Sequence, residues 1–143
     1  MSTRRKLTDC DFEETFPVPM VHQVDFRTVE NLLRSAFEGG CDYWLLAKVL
    51  HRPQEIDCDH LFQYPLFGGC LSCLDIADEE YLGNLHLGRL RKGLELLASG
   101  KEATGRVVET FPDHWNNLIT GNDDAETADV YVQLCVMGEV RYG

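Results

Sequence analysis

Basic residues are scarce in this sequence: 13 Lys and Arg stand against 24 Asp and Glu in 143 residues, a formal charge of −11. Such a chain repels nucleic acid and anionic lipid at long range, which excludes general nucleic-acid binding unless a local patch overrides it. Long apolar runs are also missing. The stretches that come closest, such as 44–50, are short and carry Lys48, so no segment is expected to span a bilayer. Behind Arg4, Arg5 and Lys6, the residues Asp9, Cys10, Asp11, Glu13 and Glu14 stand where a signal peptide needs an apolar core, so secretion by that route is not expected. Catalytic signatures are absent as well: no Gly-x-Ser-x-Gly elbow, no phosphate-cradling glycine loop and no His-Glu-x-x-His pair. Asp113-His114-Trp115 could orient an imidazole, but neighbours at a helix start point apart, and the sequence predicts no enzyme.

What is present is a globular composition, 44% hydrophobic and 26% charged, which excludes a disordered or collagen-like chain. The length suits one domain. Surface scaling gives about 7,500 Å² folded against about 24,000 Å² unfolded, enough burial for a core without disulfides or metal. The six cysteines are expected as reduced thiols packed like small hydrophobes, and no cofactor is implied. Residues 1–20 read as a loose N-terminal arm and 21–143 as a single domain.

Periodicity predicts the elements. Asp25 or Thr28 can cap a first helix, along which Val29, Leu32, Leu33, Ala36 and Phe37 form one apolar stripe; Gly39-Gly40 ends it, one glycine being suited to a left-handed cap. Segment 43–50 reads as a buried strand closed by Pro53, 61–67 as an apolar stretch broken by Pro65, and 70–76 as a further strand. Asp78-Glu79-Glu80 marks a turn or a helix start. Leu87, Leu90, Leu94 and Leu97 make a second amphipathic helix ending at Ser99-Gly100, and Pro112-Asp113 opens a short one ended by Gly121. Segment 127–137 fits both periods. Val130, Val132, Leu134 and Val136 alternate as in a strand, while the acidic residues 123–129 favour a helix N-terminus. The helix is preferred. Helices at both ends with a small antiparallel sheet between them predict an α+β fold.

Few side chains combine into chemistry. Cys58, His60, Cys70 and Cys73 have a spacing that could close a zinc site, but Cys70 and Cys73 fall in a strand, where an odd separation sends them to opposite faces. Free thiols are the expectation. Asp75 to Glu80 lacks the glycine of a calcium loop, and the acidic run before 127 reads as helix capping. Arg89, Arg91 and Lys92 are the only basic cluster outside the first residues, with a solvated helix face as the simplest reading. Glu38, Asp42, Tyr43 and Trp44 straddle a glycine turn at a helix end, a position where binding residues gather, although Trp44 could equally be core.

Two stretches carry a resemblance. Glu38-Gly39-Gly40-Cys41-Asp42-Tyr43-Trp44 is one, and Thr127-Ala128-Asp129 with Gln133 and Gly138-Glu139-Val140-Arg141-Tyr142-Gly143 is the other. Together with the leucine helix between them, they resemble a group of small uncharacterised bacteriophage and prophage proteins, over roughly residues 26–143. The resemblance transfers no chemistry. It implies an accessory protein in the host cytoplasm that antagonises antiphage defence by binding a host protein, possible as a homo-oligomer. One alternative is a sponge for an anionic nucleotide signal, needing Arg89, Arg91, Lys92 or Arg106 beside a ring such as Tyr43 or Trp44. Another is a zinc-stabilised assembly or accessory protein.

Overall fold

The helix α4, Ala125–Met137, is the centre of the molecule, and its burial explains why its sequence fits two periods. Residues 131–136 are all buried, with Ala128 and Thr127 beside them. A helix walled in on every side has no polar face to show, so its apolar residues lose their helical stripe and mimic strand alternation. The structure, a computed structural model describing residues 4–17 and 21–143, settles the segment as helix. Asp124 caps it, accepting from the Thr127 N–H at 2.8 Å, and Gly138 ends it in the left-handed conformation.

Around α4 stand α1 (Phe26–Ser35), α2 (Leu87–Ser99), α3 (Phe111–Ile119) and a three-stranded antiparallel sheet. The sheet is a meander of β1 (Leu45–His51), β2 (Cys70–Asp75) and β3 (Tyr81–Leu85), in that order. Ala47 faces Cys73 across the first pair, and Leu71 faces Leu85 across the second. Leu71, Cys73, Gly83 and Leu85 are buried, while Cys70 and Ser72 on the other face of β2 are only half-buried. This is the α+β fold with an N-terminal helix, a short sheet and C-terminal helices.

Of the two cap candidates for α1, Asp25 does the work, accepting from the Thr28 N–H and hydroxyl, both at 2.8 Å. Its stripe is core-facing as the spacing predicts: Val29, Leu32, Leu33 and Ala36 are buried, and Phe37 packs at the edge.

One expectation needs correction, and two open ones become definite. Neither Gly39 nor Gly40 is a left-handed cap. The helix widens into a single π turn at Ala36–Gly40, and Gly39 has an extended φ of 177°. The apolar segment Leu61–Phe67 is a 3₁₀ helix, because Pro65 has no N–H for a ladder; it buries Phe62, Pro65 and Leu66. Beyond Asp78-Glu79-Glu80 lies a strand, β3, whose Gly83 and Asn84 conceal it from a propensity reading. Gly83 is required by packing, since a Cβ there would run into the Val136 carbonyl of α4.

Residues 1–3 and 18–20 of the expected arm lie outside the described residues. The rest of it contains a 3₁₀ turn at Asp9–Glu13, held by a bidentate pair from Arg5 to Asp11 at 2.7 and 2.8 Å. The guanidinium holds the Asp11 carboxyl down to about 2.

Leu33 is fully buried in the core, so Leu33→Ala is expected to destabilise by about 2–5 kcal/mol. Urea denaturation measures it, and a loss well under about 1 kcal/mol would mean the stripe does not face the core.

Candidate functional site

The two stretches that carry the resemblance meet at one carboxylate. Asp129, half-buried on the first turns of α4, accepts from the Tyr43 hydroxyl at 2.6 Å and from the Trp44 indole N–H at 2.8 Å. The Gln133 amide adds a third donor at 3.0 Å and the Cys41 thiol a fourth at 3.4 Å. Gln133, one helical turn on, is fully buried and uses all its hydrogen-bonding capacity. Its Nε2 donates to Asp129 and to the Tyr142 carbonyl, while its Oε1 accepts from the N–H groups of Arg141 and Tyr142 at 2.8 and 2.9 Å. The chain after Gly138 is thereby strapped back along α4.

Tyr142 completes the strap. Its ring stacks on Trp44 with centroids 5.1 Å apart and an 11° tilt, and its hydroxyl donates to Asp75 at 2.6 Å. That hydroxyl lowers the Asp75 carboxyl below its ordinary range, and Asp75 in turn raises the Tyr142 phenol. Buried Glu102 anchors the start of the strap, accepting from the Val140 N–H at 2.8 Å and from Arg106 at 2.7 Å. Arg106 is the largest cause holding the Glu102 carboxyl low.

This arrangement revises the sequence-predicted site. Trp44 is 1% exposed and spends its face on Tyr142 and its donor on Asp129, so it is no platform for a ligand. Tyr43 keeps an exposed ring but its hydroxyl is taken. Arg106 is paired with Glu102. Among the described residues no hydrogen bond or ion pair joins Tyr43 to Arg89, Arg91 or Lys92, which line the exposed side of α2. Glu38 and Asp42 do remain exposed at the glycine turn. Gly40 sets that turn against α4: a Cβ there would lie 2.7 Å from the Ala125 carbonyl.

Cys58, His60, Cys70 and Cys73 do not assemble; among the described residues no cluster of three or more His, Cys, Asp or Glu is placed to hold a metal ion. Cys73 points into the core, where burial raises its thiol to about 12, and Cys41 and Cys135 are raised for the same reason. Thiols so far from ionisation are poor nucleophiles. His114 is buried and its Nδ1 meets the Thr127 hydroxyl at 2.8 Å, a contact between α3 and α4. The acidic loop after β2 is a pair of Asx turns, with Asp75 and Asp78 accepting from the N–H groups of Ala77 and Glu80.

One open feature escaped the sequence reading. A groove of about 430 Å³ runs between α1, α2 and α3, walled by Val24, Val29, Leu66, Leu90, Leu94 and Trp115, with Arg91 and Glu95 at its rim. Its walls come from segments up to 93 residues apart in sequence (His22 to Trp115), which no local spacing reveals. Comparison with family models, curated proteins and solved structures finds no match for this chain.

Two measurements check the strap. Gln133→Leu keeps the volume but removes one of the four donors to Asp129 and orphans three backbone groups, so a loss of about 3 kcal/mol or more is expected by urea denaturation; a loss under about 1 kcal/mol would show that the amide does not hold the tail. Asp75 has a folded pKa below its unfolded one, so its contribution is present above the unfolded pKa and disappears as pH falls through the folded one. Tyr142→Phe removes the principal cause, so the fall in urea midpoint between about pH 5 and pH 3 should be shallower than in the parent protein. An unchanged slope would exclude that contact.

Proposed function

We propose that the protein acts by binding, as a phage-type accessory factor that presents an acidic face to a basic surface on a host protein, in keeping with an antagonist of host defence. The observation that carries this reading is the junction where Gly40 seats against Ala125. Glu38 and Asp42 are exposed on one side of it, and Glu126, with half-buried Asp123, on the other. None of these four carboxylates has an ion-pair partner among the described residues. Asp42 lies between Cys41 and Tyr43, and Glu126 on the same helix as Asp129, which ties these elements together; a face held in this way lowers the entropic cost of association. A chain of charge −11 also accelerates encounter with a basic partner. The resemblance to small phage proteins supplies the host context.

The nucleotide-sponge alternative has less support. Trp44 and Arg106, one ring and one guanidinium it could use, are spent on Tyr142, Asp129 and Glu102, and among the described residues no hydrogen bond joins Tyr43 to Arg89, Arg91 or Lys92. The zinc-stabilised alternative would need ligands that lie apart here.

The test is capture from host lysate with the full chain immobilised. A basic host protein should be retained at low salt and released as exposed charges become screened, over about 10 Å at 0.1 M. The triple variant Glu38→Gln, Asp42→Asn, Glu126→Gln should retain about ten-fold less of it. Retention unaffected by both salt and the variant would overturn the reading. So would stabilisation by a cyclic nucleotide in a thermal-shift screen with no salt-sensitive protein partner.

A further inference from the structure

The groove between α1, α2 and α3 and the N-terminal arm are complementary in two independent respects. The groove is apolar inside, and beside it lies the chain's one internal basic cluster, Arg89, Arg91 and Lys92 on α2. Neither Arg89 nor Arg91 has a carboxylate within ion-pair distance among the described residues, although Glu95 shares the rim and approaches Lys92 at 3.9 Å. From residue 9 onward, beyond Arg4, Arg5 and Lys6, the arm has the opposite character, with Asp11 paired to Arg5. It carries Asp9, Asp11, Glu13 and Glu14 around Phe12 and Phe16, which are four residues apart and 73% and 91% exposed. Exposed phenylalanines set among acids match an apolar channel flanked by arginines. None of the groove's walls comes from residues 4–17, so the arm does not fill it in this structure.

We propose that Phe12 and Phe16 of one chain dock in the groove of a second copy, so that two chains exchange their acidic arms as a homodimer. The position of the arm favours exchange over self-docking: its described residues, 4–17, line no part of the groove of their own chain, which leaves that groove to the arm of a second copy. Size is adequate as well. Phenylalanine buries roughly 150–250 Å²; reciprocal docking buries four of them with the matching groove walls, which reaches the roughly 1,200–2,000 Å² of a specific interface. The groove volume falls within the roughly 300–1,000 Å³ of ordinary recognition clefts.

This interface is separate from the acidic face at Gly40, and its test uses the purified chain alone, so its failure would leave the host-binding reading untouched. Sedimentation velocity from about 1 to 500 µM should show a monomer–dimer equilibrium. Phe12→Ser with Phe16→Ser should abolish it, and Arg91→Glu, at an exposed rim position that leaves the core intact, should weaken it about ten-fold. Circular dichroism confirms that each variant folds. Three results would overturn the proposal: a monomer across the whole range, a dimer indifferent to Phe12 and Phe16, or a monomer whose Phe16 ring contacts its own Leu94 and Trp115 in nuclear Overhauser spectra. Arm capture by a host peptide in place of a second copy appears as the first of these.

Discussion

A carboxylate drawn partly out of water has to be met by donors, and the donors that meet Asp129 tie three distant parts of the chain together. Tyr43 and Trp44 come from the turn after α1, Gln133 from the next turn of α4, and through Gln133 the strap from Gly138 onward is fixed. Hydrogen bonds to an ionised acceptor contribute about 1.5–3 kcal/mol each, roughly twice a neutral one. The tail, which has no secondary structure of its own, is seated by the Gln133 amide that Asp129 positions, and by Glu102 and Asp75 through Val140 and Tyr142. Backbone groups that would otherwise need a sheet partner are satisfied by one buried amide.

The same carboxylate explains the shape of the glycine turn. With Tyr43 and Trp44 held on α4, the preceding backbone passes so close to Ala125 that position 40 has no room for a side chain. The π turn at Ala36–Gly40 takes up the mismatch between the end of α1 and the approach to α4. Charge is thus divided by depth. Asp129, Glu102 and Asp75 are consumed in holding the fold, while Glu38, Asp42 and Glu126 are left at the surface with nothing to hold. A reader of composition sees only acids; the structure sorts them into those that bind the protein to itself and those available to a partner.

Much of the architecture was legible in advance. The stripe Val29, Leu32, Leu33, Ala36 on α1, the leucines of α2 and the proline start of α3 are local patterns, set by the 3.6-residue period and by caps within a few positions. The odd spacing of Cys70 and Cys73 likewise placed them on opposite faces of β2, one half-buried and one in the core. Where the reading failed, the deciding partner was far away. Gly83 and Asn84 disguise β3 because Gly83 answers to Val136, 53 residues on. Trp44 resembles a binding aromatic because its two partners, Asp129 and Tyr142, are 85 and 98 positions distant.

The sequence by itself determined the α+β class, the helices α1, α2 and α3, and the acidity, since each depends on residue type and short-range period alone. Only the tertiary structure decided that the most conspicuous motifs, Tyr43-Trp44 and Asp129 with Gln133, face each other and serve the fold. It alone showed that the chain's basic cluster flanks an apolar groove. Those are facts of convergence: they depend on which distant segments the burial of α4 brings together, and a hydrogen bond or a groove wall has no signature in a chain until both of its sides are in place.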